Sequence, residues 1–428
     1  MDKTEDTRKS HKASLDRQIS ALADPEVVGL SRPGLEKIGH IAEKLIEEEH
    51  IAGAVTIVAR HGKVAHFEAK GSMDIEAQIP MGTDTIFRIA SMSKPFAAVA
   101  TMMLFEEGLV DLDSPASIYL PELGGMQVAK DPNAERIELE KAHREMTVRD
   151  LMRHTSGLPG AILYMNNQSN LGSVYRDSGM NSLHECDLEE MLKRIGTIPL
   201  YYHPGEKWHY SISADVLGRL VEVVSGKAFD EFLSERIFTP LEMVDTGFYV
   251  PEHKIDRIVK LYGPAEGGGL QRAELPGDPT VPPRLLSAGG GLCSTALDYM
   301  KFCLMLSGLG SYNGTQLMRA SSVREMTQNQ LPEHLVPIDK TPSERYEGLG
   351  FGLGVSVRVD QTDWVPASQI GEYGWIGGAS TEFWISPKDE LVTIVLTQKI
   401  PFASLSEKVK SQVYAARIEP TMTWRQDA

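Results

Sequence analysis

Ser91-Met92-Ser93-Lys94-Pro95-Phe96-Ala97-Ala98-Val99-Ala100 sets a hydroxyl and an amine three positions apart at the head of an apolar run that continues to Leu104. Three residues is nearly one helical turn, so the spacing predicts that both side chains leave one face of a helix's first turn. Serine is a weak nucleophile until a base takes its proton, and an amine within reach can be that base. The helix N-terminus adds favourable partial charge where an oxyanion would develop. Ser-x-x-Lys occurs nowhere else in the chain. A capping serine followed by a solvated lysine on a surface helix would have the same pattern, so the nucleophile reading needs support from the remaining sequence.

The chain has 428 residues, 42% of them hydrophobic, enough for a large core and for two or three domains. Its formal net charge of −16 argues against nucleic acid or an anionic membrane as a partner, since both select clustered Lys and Arg. The expected partner is a small molecule. Met1 to Ala23 is polar and charged, without the apolar centre of a signal peptide, and no run of about 18 apolar residues follows. A cytoplasmic protein that spans no membrane is expected. Cys186, Cys293 and Cys303, odd in number and far apart, fit buried thiols better than a disulfide framework.

Outward from the motif, Leu35, Ile38, Ile41, Ala42, Leu45 and Ile46 recur at helical spacing between Ser31-Arg32-Pro33 and Gly53. Ala54 to Ala59 and Val64 to Ala69 then read as a hairpin across His61-Gly62-Lys63. The far end repeats this theme with strands over Phe351 to Val359, Thr381 to Ile385 and Leu391 to Thr397, then a helix from Ser404 to Ala416. Between the ends, Thr147 to His154, Leu188 to Ile195 and Asp215 to Val224 are helical patterns, and Gly263 to Gly277 reads as a connecting loop or cleft wall. The fold class predicted is α+β: an antiparallel sheet flanked by helices, a mainly helical domain, and the active site between them. The boundaries expected are a polar tail over 1–28, a discontinuous α/β domain over 29–90 and 284–428, and a mainly helical domain over 91–283.

A Ser/Lys pair needs a third group to protonate the leaving group, and a tyrosine can serve when nearby cations favour its phenolate. Tyr210 is the candidate, carried by His203-Pro204-Gly205-Glu206-Lys207-Trp208-His209-Tyr210-Ser211, a turn anchored by a following helix. Here the chain resembles the serine β-lactamase and penicillin-binding-protein superfamily, in the branch that holds class C β-lactamases and family VIII carboxylesterases. His154-Thr155-Ser156-Gly157-Leu158-Pro159, Ser287-Ala288-Gly289-Gly290-Gly291-Leu292, Gly348-Leu349-Gly350-Phe351-Gly352 and Gly374-Trp375-Ile376-Gly377-Gly378 occur in that branch's order, over about Ile51 to Gln398. The resemblance implies Ser91 as acylated nucleophile, Lys94 as its base and Tyr210 as general acid/base. It implies an oxyanion hole built from the N–H groups of Ser91 and Gly378.

Two departures bear on substrate. Class C β-lactamases carry Tyr-x-Asn and Lys-Thr-Gly where this chain has Tyr210-Ser211-Ile212 and Trp375-Ile376-Gly377. A lysine there would pair with a β-lactam's carboxylate; tryptophan suits an uncharged ester and resembles the Trp-x-Gly of family VIII esterases. Tyr164-Met165-Asn166 is a literal Tyr-x-Asn without the Pro-Gly turn or the following helix, and reads as a loop or pocket wall. Trp375, Gly377, Tyr164, Trp208 and Tyr373 are the expected substrate-binding residues, and His154 a structural hydrogen-bonding histidine. No metal-ligand spacing, Walker loop or dinucleotide fingerprint occurs, so no metal or cofactor is expected. Gly-x-Ser-x-Gly is absent too, against a Ser-His-Asp hydrolase. The expected activity is carboxylester hydrolysis of short to medium acyl groups with weak promiscuous β-lactamase activity. A class C-like β-lactamase, an amidase or D-amino-acid peptidase, an acyltransferase and a non-turnover penicillin-binding sensor are the alternatives.

Overall fold

The computed structural model describes residues 22–160, 169–179, 185–338, 346–363 and 367–418. The first apolar periodicity folds as helix α1 (Arg32–Glu47), whose N-cap Ser31 accepts the Gly34 N–H at 3.2 Å. Pro33 sits in its first turn, where the missing N–H would have had no partner. Strands β1 (Gly53–Arg60) and β2 (Lys63–Asp74) follow. They are joined through His61 and Gly62 at φ 51° and 74°, the left-handed pair that a two-residue hairpin needs. After the short β3 (Ile79–Pro80), the rest of the sheet comes from the far end of the chain: β4 (Leu349–Phe351), β5 (Ser356–Arg358), β6 (Tyr373–Gly377), β7 (Thr381–Ser386) and β8 (Leu391–Leu396). The order across the sheet is β4-β5-β6-β7-β8-β1-β2-β3. Each pairing is antiparallel, and the two ends of the chain meet where Val55 to Arg60 pair with Leu396 to Leu391.

Both faces of this sheet are covered, which is why Leu391-Val392-Thr393-Ile394-Val395-Leu396 reads as an almost unbroken apolar run. Val55, Ile57 and Ala59 of β1 join the larger core, with helices α2 (Lys94–Glu106) and α6 (Ala296–Ser307). Ala54 and Val58 join a second core under α1 and the last helix, α7 (Leu405–Ala415). The larger core continues into α3 (Val148–Met152), α4 (Leu188–Ile195) and α5 (Ser213–Ser225), with α2 packed along α5. This is the β-lactamase-like α+β architecture.

Several elements differ from the sequence reading. Phe351 to Val359 is two strands, β4 and β5, split by a tight turn in which Gly354 takes φ 86° and lies so close to α2 that a Cβ would meet Ala98 Cβ at 2.3 Å. The Gly263 to Gly277 segment contains a small hairpin, Tyr262–Pro264 with Leu270–Arg272. The described end of the expected 1–28 tail is a short 3₁₀ turn, Pro25–Val28, capped by Asp24 and anchored because Val28 inserts into the second core. Cys186, Cys293 and Cys303 are buried and form no disulfide among the described residues. No helix among the described residues is long and apolar enough to cross a membrane.

Candidate active site

Ser91 lies not in the α-helix itself but in a 3₁₀ turn, Ala90–Ser93, that feeds α2. Side chains i and i+3 eclipse in 3₁₀ geometry, and Lys94 Nζ reaches Ser91 Oγ at 3.2 Å. Ala90 takes φ 45°, a conformation that costs a residue with a Cβ about 1–2 kcal/mol. The turn is held against that strain from three sides. Ser93 Oγ donates to Ala90 O at 2.7 Å and accepts the Leu292 N–H at 3.1 Å. Tyr299 OH, on α6, donates to Met92 O at 2.9 Å, and the Ile89 N–H donates to Leu292 O at 3.0 Å. Ser91 and Lys94 are 7% and 4% exposed, so the amine works in a site largely closed to water.

Lys94 is oriented by a residue that motif reading missed. Its Nζ donates to Gly289 O at 2.6 Å, and the loop carrying that carbonyl is pinned by Asp215, buried in the first turn of α5. The Asp215 carboxylate accepts the Ser287 hydroxyl at 2.7 Å and the Gly289 N–H at 2.9 Å. A Cβ on residue 289 would lie 2.6 Å from that carboxylate, so only glycine allows the approach. The signal was present as Ser287-Ala288-Gly289-Gly290, but its acceptor comes from 72 residues earlier.

Tyr210 closes the group. Lys94 Nζ lies 4.6 Å from its ring centroid, and the Trp375 Nε1–H points at its hydroxyl oxygen at 3.4 Å. Trp375, expected as a substrate-binding residue, is 3% exposed and aims its donor at the phenol. An uncharged N–H thus stands where the β-lactamase pattern has an ammonium.

The N–H groups expected to form an oxyanion hole adjoin the same turn. The N–H of Ser91 is in the first turn of its helix, where no helical carbonyl lies behind it. Strand β6 packs against that turn. A Cβ on Gly377 would lie 2.3 Å from Ile89 O and 2.2 Å from Thr381 Oγ1, so this glycine lets the strand approach the turn that carries Ser91. The glycine thus has a packing task beside the site. Gly378, next along, has open space where a Cβ would stand.

An aromatic wall flanks Tyr210: Trp208, Tyr346, Phe351 and Trp375, with Phe351 and Trp375 edge to face at 5.2 Å. Trp208 is half-buried, and its indole nitrogen has no partner among the described residues. Tyr373 is buried on the core side of β6 near Cys303, where burial holds its hydroxyl protonated far above the usual tyrosine range. Among the described residues it makes no hydrogen bond or ring contact with Ser91, Lys94 or Tyr210, because it sits two positions further from the loop end of the strand. Tyr164 lies outside the described residues.

Among the described residues, one group of side chains has metal-ligating character: donor atoms of His143, His203 and Glu206 lie within 4.8 Å of one another. Local hydrogen bonds use these atoms. His203 Nδ1 accepts the His143 N–H at 3.3 Å, His203 Nε2 faces Glu140 at 3.2 Å and His143 Nδ1 faces Glu206 at 3.0 Å. The rings are stacked 3.7 Å apart with planes 3° from parallel, so their in-plane lone pairs do not converge on one point.

A Ser-Lys-Tyr group of this geometry, on this sheet, defines a serine hydrolase of β-lactamase type. A family model described as Beta-lactamase matches residues 38–411, and the chain belongs to that family. Protein Rv1367c of Mycobacterium tuberculosis is 33% identical over 83% of this chain and 88% of its own. Esterase EstB of Burkholderia gladioli is 34% identical over 54% of this chain and 56% of its own. Among solved structures, EstCE1, a hydrolase with promiscuous acyltransferase activity, superposes with a TM-score of 0.75 over 89% of this chain and 99% of its own, at 24% identity.

Proposed function

We propose that this protein is a carboxylesterase that hydrolyses esters of short to medium acyl chains through an acyl-enzyme on Ser91, with weak turnover of β-lactams. The observation that carries this reading is the Trp375 N–H at the Tyr210 hydroxyl. It supplies the phenolate with a hydrogen bond and leaves the cleft without the cation a β-lactam carboxylate would meet.

In acylation, Ser91 Oγ bonds to the ester carbonyl carbon as Lys94 takes its proton, and the N–H groups of Ser91 and Gly378 receive the oxyanion. The C–O bond to the alcohol breaks, and the alkoxide takes the Tyr210 proton. Lys94 is then an ammonium and Tyr210 a phenolate. Water attacks the acyl carbon and gives its proton to Tyr210, while Lys94 returns its proton to the departing Ser91. All three groups are reset.

Tyr210→Phe keeps the ring contacts and removes only the proton carrier, so kcat on p-nitrophenyl butyrate is expected to fall by roughly 10² to 10⁴. Tyr164→Phe is expected to change kcat only modestly. If Tyr164→Phe proves the more damaging, the acid/base belongs to Tyr164-Met165-Asn166.

Ester selectivity follows from charge. A charged hydrogen bond to a carboxylate contributes about 1.5–3 kcal/mol, roughly 10- to 100-fold in rate constant. Without one, a β-lactam carboxylate entering the cleft loses water uncompensated. The kcat/KM ratio of p-nitrophenyl butyrate to a chromogenic cephalosporin is therefore expected to lie well above one. A ratio below one would make the protein a β-lactamase with an unusual third motif.

A further inference from the structure

We propose that His154 is a positioning residue that aims the Tyr210 hydroxyl, acting as a hydrogen-bond acceptor and not as a base. The inference rests on Tyr210 being the proton carrier.

His154 grips the chain on both sides of Tyr210. Its carbonyl accepts the His209 N–H at 2.8 Å, and its Nδ1 accepts the Ser211 N–H at 3.2 Å. Its ring lies against the Tyr210 ring, centroids 4.9 Å apart, and backs onto Phe351 at 5.2 Å. The tyrosine is thus located by its two flanking amides and one face of its ring, all through one residue. His154 follows the end of α3 at φ 58° and is 2% exposed. A bulky residue held in that conformation points to a specific local demand.

A chain of buried hydroxyls fixes the ring's tautomer. Leu158 N–H donates to Ser156 Oγ at 3.2 Å, Ser156 and Ser213 hydroxyls lie 2.8 Å apart, Ser213 and Ser211 hydroxyls 2.7 Å apart, and Ser211 Oγ is 3.0 Å from His154 Nδ1. Since the Ser211 N–H already points at Nδ1, that nitrogen carries no proton, and the hydroxyls donate in one direction: Ser156 to Ser213 to Ser211 to Nδ1. The motif His154-Thr155-Ser156 is in this way fastened to Tyr210-Ser211-Ile212-Ser213. Burial holds the imidazole neutral well below the usual histidine range, as an acceptor requires. With its Nδ1 lone pair committed and no hydrogen bond to Ser91 among the described residues, the ring is not placed to deprotonate the nucleophile.

Asparagine offers a sharp test, because its Oδ1 stands one bond from Cγ, where histidine has Nδ1, and it tolerates positive φ. Glutamine moves the acceptor one bond further. His154→Ala and His154→Gln are expected to lower kcat on p-nitrophenyl butyrate by roughly 10- to 100-fold, the scale of a misplacement near 1 Å, with KM changed less than about threefold. His154→Asn should recover kcat to within about fivefold of the native enzyme. Because the effect runs through Tyr210, adding His154→Gln to Tyr210→Phe should cost less than about twofold more. Circular dichroism identifies a variant that fails to fold, and if Ala does so the Asn and Gln pair carries the comparison. The proposal is overturned if Asn is as impaired as Gln, or if Gln exacts its whole factor in the Tyr210→Phe enzyme. Full activity of Tyr210→Phe alone would instead remove the assignment of Tyr210, and the proposal with it.

Discussion

Ser91→Ala is expected to reduce ester turnover by more than roughly 10⁴, the scale on which loss of the nucleophile acts in serine hydrolases. No neighbouring hydroxyl can replace it. Ser93, two positions on, has its Oγ committed to Ala90 O and the Leu292 N–H. The fold should survive, since the substitution removes one hydroxyl whose hydrogen-bond partner among the described residues is Lys94 Nζ, and Lys94 keeps its 2.6 Å bond to Gly289 O. A melting temperature within a few degrees of the native protein's is expected, since a side-chain hydrogen bond contributes only about 0.5–1.5 kcal/mol net. A fluorophosphonate should add covalently to Ser91 in the native protein, located by peptide mass spectrometry, and should leave the variant unlabelled. If Ser91→Ala keeps more than about a tenth of native kcat, the activated-serine reading is wrong.

Local chemistry made part of this site readable in advance. Ser91 and Lys94 are three residues apart, so their meeting depends on one turn of backbone and on nothing distant. Tyr210 was found through the turn that carries it and the order of the flanking motifs. What escaped the sequence depends on partners far along the chain. Gly289 O becomes the Lys94 acceptor only because Asp215 holds its loop, and Trp375 faces the phenol only because β6 ends beside the Ala90–Ser93 turn. Tyr373 shares the two-residue period of Trp375 and Gly377, yet among the described residues it makes no hydrogen bond or ring contact with Ser91, Lys94 or Tyr210. Strand periodicity assigns a face and not a depth along the strand. At the level of elements, the unbroken apolar run of β8 was legible because both sheet faces are covered, whereas the break between β4 and β5 was hidden. There, glycines permit a turn whose close approach to Ala98 no local pattern predicts.

Lys94→Met should be nearly as damaging as loss of the serine, with kcat down by roughly 10⁴ or more. Methionine keeps most of the length of the side chain and its packing at a 4% exposed position, so the change isolates the amine. Three contacts disappear together: the 3.2 Å reach to Ser91 Oγ, the bond to Gly289 O, and the cation 4.6 Å from the Tyr210 ring. In the proposed mechanism the first takes the proton of the nucleophile, and the last, once Lys94 is protonated, favours a phenolate on Tyr210. Losing one nitrogen therefore disables both halves of the cycle. The Gly289 carbonyl is left without that donor at a cost of about 1–3 kcal/mol, enough to lower the melting temperature without unfolding a chain of this size. Fluorophosphonate labelling of Ser91 should slow by a factor comparable to the loss in turnover, since it needs the same deprotonation. The double variant Ser91→Ala/Lys94→Met should be no worse than either single one, because both remove the same step. Rapid labelling of Ser91 in Lys94→Met would show that another group takes the serine proton. Tyr210 would then be the base to test, by adding Tyr210→Phe to Lys94→Met and following the labelling rate.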